Sequence, residues 1–202
     1  MHVHTKRYSR CSQMEPERLI AQAVRMGLDG VVITEHHRQW TQEELKALVE
    51  ASEAPYFLLL SGCEYTSSHG DILLYGMPDE AISAMQPGWS PAQVFERVTA
   101  CEAAAVWAHP TRSPASYDGV MTSLPWCGIE VASANMQDNE RRLAVRLAEA
   151  IKVPPVIASD AHQIRDLGRF ATEFLEPIQS IKDLRDALRR GRFQLSAAIQ
   201  RR

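Results

Sequence analysis

The chain opens Met1-His2-Val3-His4-Thr5, with two imidazoles two positions apart. Side chains alternate along an extended strand, so residues two apart leave on the same side. Two rings aimed at one point are what a metal ion takes as ligands. Alone, the pair has an ordinary reading as well: chance, or the remnant of a purification tag. The same residue types recur, however, in Glu35-His36-His37, Glu64, Asp71, His109-Pro110 and Asp160-Ala161-His162. Asp160 and His162 repeat the spacing of the opening pair. Imidazoles mixed with carboxylates suit Zn²⁺, Mn²⁺ or Fe²⁺ and are too rich in nitrogen for Ca²⁺ or Mg²⁺ alone. The donors outnumber the four that a structural zinc uses. They therefore predict at least two divalent ions sharing a carboxylate, the arrangement that activates water and clamps a phosphoryl group.

These residues meet only if the fold brings them together. Helices are predicted from Pro16 to Met26, with Leu19, Ile20, Ala23, Val24 and Met26 as the apolar stripe, and from Thr41 to Ala51, with Glu44 at the capping-box position. Others follow over Ser90–Glu102, over Asn139–Lys152 with Leu143, Val145, Leu147 and Ala148 inside, and over Ser180–Arg190 as a terminal helix. Strands are predicted over Gly30–Thr34, Tyr56–Leu60, Asp71–Gly76, Ala103–Ala108, Gly128–Ala132, Pro154–Ala158 and Phe170–Leu175. Residues 111–127, punctuated by Pro114, Gly119 and Pro125, read as a long irregular loop. The alternation predicts a parallel sheet with right-handed crossovers. About seven such units fit a closed or distorted β/α barrel, with an open doubly wound sheet as the competitor. No Gly-x-Gly-x-x-Gly or Walker loop marks a nucleotide site of the open kind. Five of the seven histidines lie at or just past the C-terminal end of a predicted strand, as do Glu64 and Asp160. In a parallel barrel those ends form one face, where active sites are built.

Composition narrows the classes. The chain has 202 residues, 45% hydrophobic and 23% charged, which suits a single domain over 1–202. A formal net charge of −3 and no long Lys/Arg run argue against a wide nucleic-acid groove. The longest apolar runs, Phe57–Leu60 and Ala103–Ala108, are too short to cross a bilayer, and no signal peptide is visible. Cys11, Cys63, Cys101 and Cys127 lie far apart without Cys-x-x-Cys spacing, which reads as reduced thiols in a cytoplasmic protein.

Six pieces, in order, resemble the polymerase-and-histidinol-phosphatase (PHP) family of metal-dependent phosphoesterases. They are His2-Val3-His4-Thr5 with Tyr8-Ser9-Arg10-Cys11-Ser12; Gly27-Leu28-Asp29-Gly30 running through Val31-Val32-Ile33-Thr34 to Glu35-His36; Gly62-Cys63-Glu64 followed by Gly70-Asp71-Ile72-Leu73; Ala108-His109-Pro110; Ser159-Asp160-Ala161-His162; and Leu167-Gly168-Arg169. The resemblance reaches from the first residue to about Arg192. It implies a distorted (β/α)₇ barrel carrying two or three metals on its C-terminal face. Carried over residue by residue, one metal would sit on His2, His4, Glu64 and Asp160, with Glu64 bridging. A second would take His36 and His162, and a third His109 with Glu64. Cys11 stands where members often place an aspartate or histidine ligand, Glu35 replaces the usual aspartate, and Asp71 replaces a histidine; all three are retained as metal candidates. Only Met1 precedes His2 where members have strand residues, so either the first strand is a stub or the true start lies upstream.

The resulting expectation is hydrolysis of a small phosphomonoester or a nucleotide by a metal-activated hydroxide. Glu64 would bridge, His109 is the candidate side-chain acid, and Arg169 is expected to hold the phosphate. Arg112, Lys6, Arg7 and Arg10 are further candidates to receive a negative substrate. His69 belongs to the site rim, and His37 reads as a surface or supporting residue. Two rivals stand beside this reading. One is an amidohydrolase-like C–N hydrolase, for which neither Lys46 nor Lys152 offers the bridging lysine. The other is a regulatory or catalytically impaired domain, which the departures at Cys11, Glu35 and Asp71 would feed.

Overall fold

The structure, a computed structural model, describes residues 1–112 and 119–196. Six strands form one curled sheet in the order β1 to β6: β1 Gly30–His36, β2 Leu58–Ser67, β3 Gly70–Tyr75, β4 Ala104–Trp107, β5 Gly128–Ala132 and β6 Pro155–Ile157. Helices α1 (Pro16–Arg25), α2 (Gln42–Glu50), α3 (Asp79–Ser83), α4 (Pro91–Ala100), α5 (Gly119–Thr122), α6 (Asp138–Ile151) and α7 (Ile181–Arg189) accompany it. The result is a mixed α/β fold with a partial β/α barrel.

The sheet is not wholly parallel. β1 pairs with β2, β4 with β5 and β5 with β6 in parallel, but β3 is antiparallel to both of its neighbours. The reason is chain length. Only Ser68 and His69 separate β2 from β3, whereas a parallel crossover needs a dozen or more residues. Reversal of β3 has a useful result. Its first residues, at Asp71, lie at the end of the sheet where the parallel strands finish, and the Ala108 amide bonds the Asp71 carbonyl there at 3.1 Å.

Residues 2–4 bring together two strands that the sheet leaves unpaired. Val3 forms a parallel bridge with Ala161, its carbonyl accepts from the Thr34 amide at 2.8 Å, and the His4 amide donates to the Ala161 carbonyl at 2.9 Å. The opening pair is thus extended and tied down on both sides.

The two-residue period then sorts the side chains. Val32, Leu60, Leu73, Tyr75, Val106 and Val156 fill the inner face, and Leu184 and Leu188 of α7 join this cluster. Cys63, Tyr65, Ile72, Leu74 and Trp107 point outward into a second core with α4. Val31 and Ile33 do the same against α1 and α2. Gly62 is required by close packing: a Cβ there would lie 2.7 Å from the Leu74 carbonyl oxygen.

The capping boxes at Thr41/Glu44 and Ser90/Gln93 both form. Some expectations need correction. In α6 the buried residues are Ala144 and Ala148, while Leu143 and Val145 are 46% and 41% exposed. Positions 143 and 145 are about 200° apart on a helix and cannot share a face. Val24 of α1 is likewise exposed. Ser180 caps α7, which falls within the predicted Ser180–Arg190 helix but is not terminal. β7 (Thr172–Phe174), inside the predicted Phe170–Leu175 strand, joins β8 (Phe193–Leu195) in a separate antiparallel pair. Part of the expected 111–127 loop lies outside the described residues, and its later part holds α5.

Leu73 is fully buried on the inner face. Leu73→Ala is expected to cost about 2–5 kcal/mol, read as a lower urea midpoint at unchanged slope.

Candidate metal centre

The polar side chains converge where β1, β2, β4 and β6 end. His2, His4, Glu64, His109 and Asp160 are all buried, and His36 and His162 stand half-exposed beside them. Strand period explains the selection. In β2, Leu60, Gly62 and Glu64 face inward; in β1, Val32, Thr34 and His36 do; in β5, Gly128 and Glu130 do.

His2 Nε2 lies 3.1 Å from His4 Nε2, 3.3 Å from Glu64 Oε1 and 3.4 Å from Asp160 Oδ1. His4 Nε2 lies 3.1 Å from Glu64 Oε2 and 3.6 Å from Asp160 Oδ1. Four ligand atoms around a tetrahedral ion at 2.0–2.1 Å stand about 3.3 Å apart. His2, His4 and Glu64 stand at that spacing as one donor group, with Asp160 Oδ1 beside the two imidazoles. His4, His36 and His162 form a second donor group, and Glu64, Asp71 and His109 a third. Glu64 links all three sets. Its Oε1 faces His2 and His109, the latter at 3.0 Å, and its Oε2 faces His4 and His36, the latter at 3.2 Å. Cys11 Sγ lies 3.4 Å from His36 Nε2 at the exposed rim.

Glu35 belongs elsewhere. It alternates with His36, so it points outward with Ile33. Its carboxylate accepts from the Thr5 amide and hydroxyl, the Ser9 hydroxyl and the Trp40 indole. Those bonds hold the loop behind His4, whose Nδ1 is 3.3 Å from Ser9 Oγ. Arg169 also lies outside the cluster, 3.5 Å from Asp166 on the surface. The guanidinium that does reach in is Arg112, 3.1 Å from Asp160 Oδ2. Lys6 pairs with Glu15, and Arg7 with Glu44. His69 sits in the β2–β3 turn with its ring on Ser68, and His37 packs edge-on against Tyr65. A cavity of about 780 Å³ lies between β1 and residues 170–179, and none of the clustered side chains lines it.

Two partners, buried Glu130 and exposed Asn135, escaped sequence reasoning. Glu130 contacts His2, and the Asn135 amide donates to the Asp160 carbonyl at 2.7 Å. A signal for Glu130 existed: it is a lone carboxylate inside the apolar strand Gly128–Ala132. Asn135, in a turn, carried none.

Burial opposes charge throughout, yet the cluster offsets it. Burial penalises charge on His2, but Asp160, Glu64 and Glu130 outweigh it and raise its pKa well above the ordinary value. His4 and His109 are raised too, against burial, by carboxylate contacts. Burial would raise Glu64 and Asp160, but the imidazoles hold both low. His36 and His162 are lowered, first by burial.

Residues 138–193 match the family model described as PHP-associated. That segment resembles the PHP-associated family and contains α6, β6 and Asp160-Ala161-His162. No curated protein sequence matches this chain. Among solved structures it is similar to PsfC from Pseudomonas syringae, with 18% identity and a TM-score of 0.67 over 92% of this chain and 84% of that one. It is also similar to an amidohydrolase from Chromobacterium violaceum, with 15% identity and a TM-score of 0.65 over 98% of each chain. A lesion-specific endonuclease from Pyrococcus furiosus matches with 15% identity and a TM-score of 0.69 over 96% of this chain, which spans 56% of that protein. A proposed metal-dependent phosphoesterase from Bifidobacterium adolescentis is similar as well, with 18% identity and a TM-score of 0.59 over 80% of this chain and 86% of that one. At such identities the likeness is one of fold.

Because His2, His4 and His109 are raised, they hold protons above the usual imidazole pKa of about 6.5. A metal must displace those protons, so affinity is expected to keep rising with pH above about 6.5. Calorimetric titration with Zn²⁺ in two buffers of different ionisation enthalpy will register the proton release; a pH-independent affinity would contradict it.

Proposed function

We propose that this protein is a metal-dependent phosphoesterase acting on a small phosphomonoester or a nucleotide. The observation that carries the reading is Glu64: a single buried carboxylate whose two oxygens face different sets of imidazoles, the geometry of a bridging ligand. Two or three divalent ions, Zn²⁺, Mn²⁺ or Fe²⁺, would supply water activation and charge neutralisation at the phosphoryl group.

The side chains have separable tasks. His2, His4, Glu64 and Asp160 hold the first position, His36 and His162 the second, and His109 with Asp71 and Glu64 the third. Cys11 closes the rim beside His36. Asp160 turns Oδ1 toward the histidines and gives Oδ2 to Arg112. Arg112 is 42% exposed on its side chain, so it keeps solvent-accessible N–H groups that can bind phosphoryl oxygens. It takes the phosphate role expected of Arg169. His109 Nε2 is spent on Glu64, which favours ligation over acid catalysis.

The amidohydrolase-like neighbour keeps C–N hydrolysis as the second reading. Against it, all four lysines lie away from the centre: Lys6 pairs with Glu15, Lys46 with Glu50 and Lys182 with Asp186, and Lys152 ends α6. No helix among the described residues is long and apolar enough to cross a membrane.

Metal analysis of the purified chain, followed by assays on phosphomonoesters, nucleotides and amides with Mn²⁺ and Zn²⁺, tests the reading. Two or more ions per chain and phosphoester turnover are expected. His4→Ala should abolish turnover, and Arg112→Met should raise KM for the phosphoester at least tenfold. Full metal loading without turnover on a broad panel would favour a regulatory domain.

A further inference from the structure

We propose that Glu130 is a positioning residue that fixes two ligands of the centre at once; this rests on the metal-centre reading above. Glu130 is fully buried on the inner face of β5. Its Oε1 lies 3.1 Å from His2 Nδ1, and its Oε2 accepts from the His109 backbone amide at 2.9 Å. An ionised carboxylate only accepts, so once a metal displaces one proton from His2 the remaining proton resides on Nδ1. His2 Nε2 then carries the free lone pair, and that atom is the one facing His4, Glu64 and Asp160.

The second oxygen acts on backbone. His109 has φ +24°, a conformation L-residues rarely adopt. Its amide bond to Glu130 holds that turn and presents Nε2 to Glu64 Oε1 at 3.0 Å. One side chain thus sets the tautomer of a ligand in the first position and the direction of a ligand in the third.

His2, His109 and Glu130 can also be drawn as a donor group of their own. That assignment would spend His2 Nδ1 on the metal and leave a proton on Nε2, opposite His4 and Glu64. The tautomer separates the two cases.

The test measures Zn²⁺ affinity of the whole chain by competition with a chromophoric chelator, for the native sequence and Glu130→Gln. In parallel, long-range ¹H–¹⁵N correlation reads the imidazole tautomers of the Zn²⁺-loaded native chain. Glutamine can still accept from His2, but it cannot serve both donors as a carboxylate does. The expected results are a 10- to 100-fold loss of affinity in Glu130→Gln and, in the native chain, His2 with its proton on Nδ1 and Zn²⁺ on Nε2. Affinity within twofold of the native chain, or Zn²⁺ on His2 Nδ1, overturns the proposal. If Glu130→Gln does not fold, the native tautomer alone decides. No Zn²⁺ binding by the native chain is a different failure, since it removes the metal-centre reading itself.

Discussion

Everything in this molecule answers to one constraint: Glu64, almost wholly removed from water, must find partners for both of its oxygens. An isolated buried carboxylate costs many kcal/mol, so the group survives only where donors or cations surround it. His2, His4, His36 and His109 supply that surround from three separate stretches of chain. The apolar inner face of Leu60, Leu73, Val106 and Val156 below them is what keeps water away. Core and polar centre are thus two halves of one arrangement, and the low dielectric of the first strengthens the electrostatics of the second.

The same residues that form the centre also tie the barrel together. Val3 bonds to Thr34 on the edge strand β1 and bridges to Ala161 just past β6, the other edge strand, with His2 and His4 on either side of it. The donor pair is therefore held by main-chain bonds rather than by side-chain contacts alone. Glu35 reinforces this from behind, through Thr5 and Ser9. Preorganised ligands need little ordering when an ion binds, and that is the physical advantage of placing them on paired backbone.

Similar folds carry phosphoesterase, amidohydrolase and endonuclease names. A barrel with donors at one end is a scaffold for several hydrolyses, and the substrate is selected at the rim. Here the rim brings Arg112 next to Asp160, with no lysine in contact with the centre.

Much of the centre was legible from residue order alone. His2 and His4 were picked out by their two-residue spacing, His36, Glu64, His109, Asp160 and His162 because they follow predicted strands, and Asp71 by its place in the PHP-like pattern. Glu35 was a candidate because it stands where the PHP-like pattern has an aspartate, but in a strand it points the opposite way from His36, toward Thr5, Ser9 and Trp40. Arg112 reaches Asp160 while Arg169 pairs with Asp166 outside the cluster, because which of two loop guanidines points inward depends on the path of the loop. The strand direction of β3 and the exposed faces of Leu143 and Val145 were set by turn length and helix angle. Types and spacing by themselves determined which chemistry the chain could perform and roughly where along it. Only the tertiary structure decided which oxygen faces which nitrogen, and hence the place of Glu130, because those choices depend on contacts between residues more than a hundred positions apart.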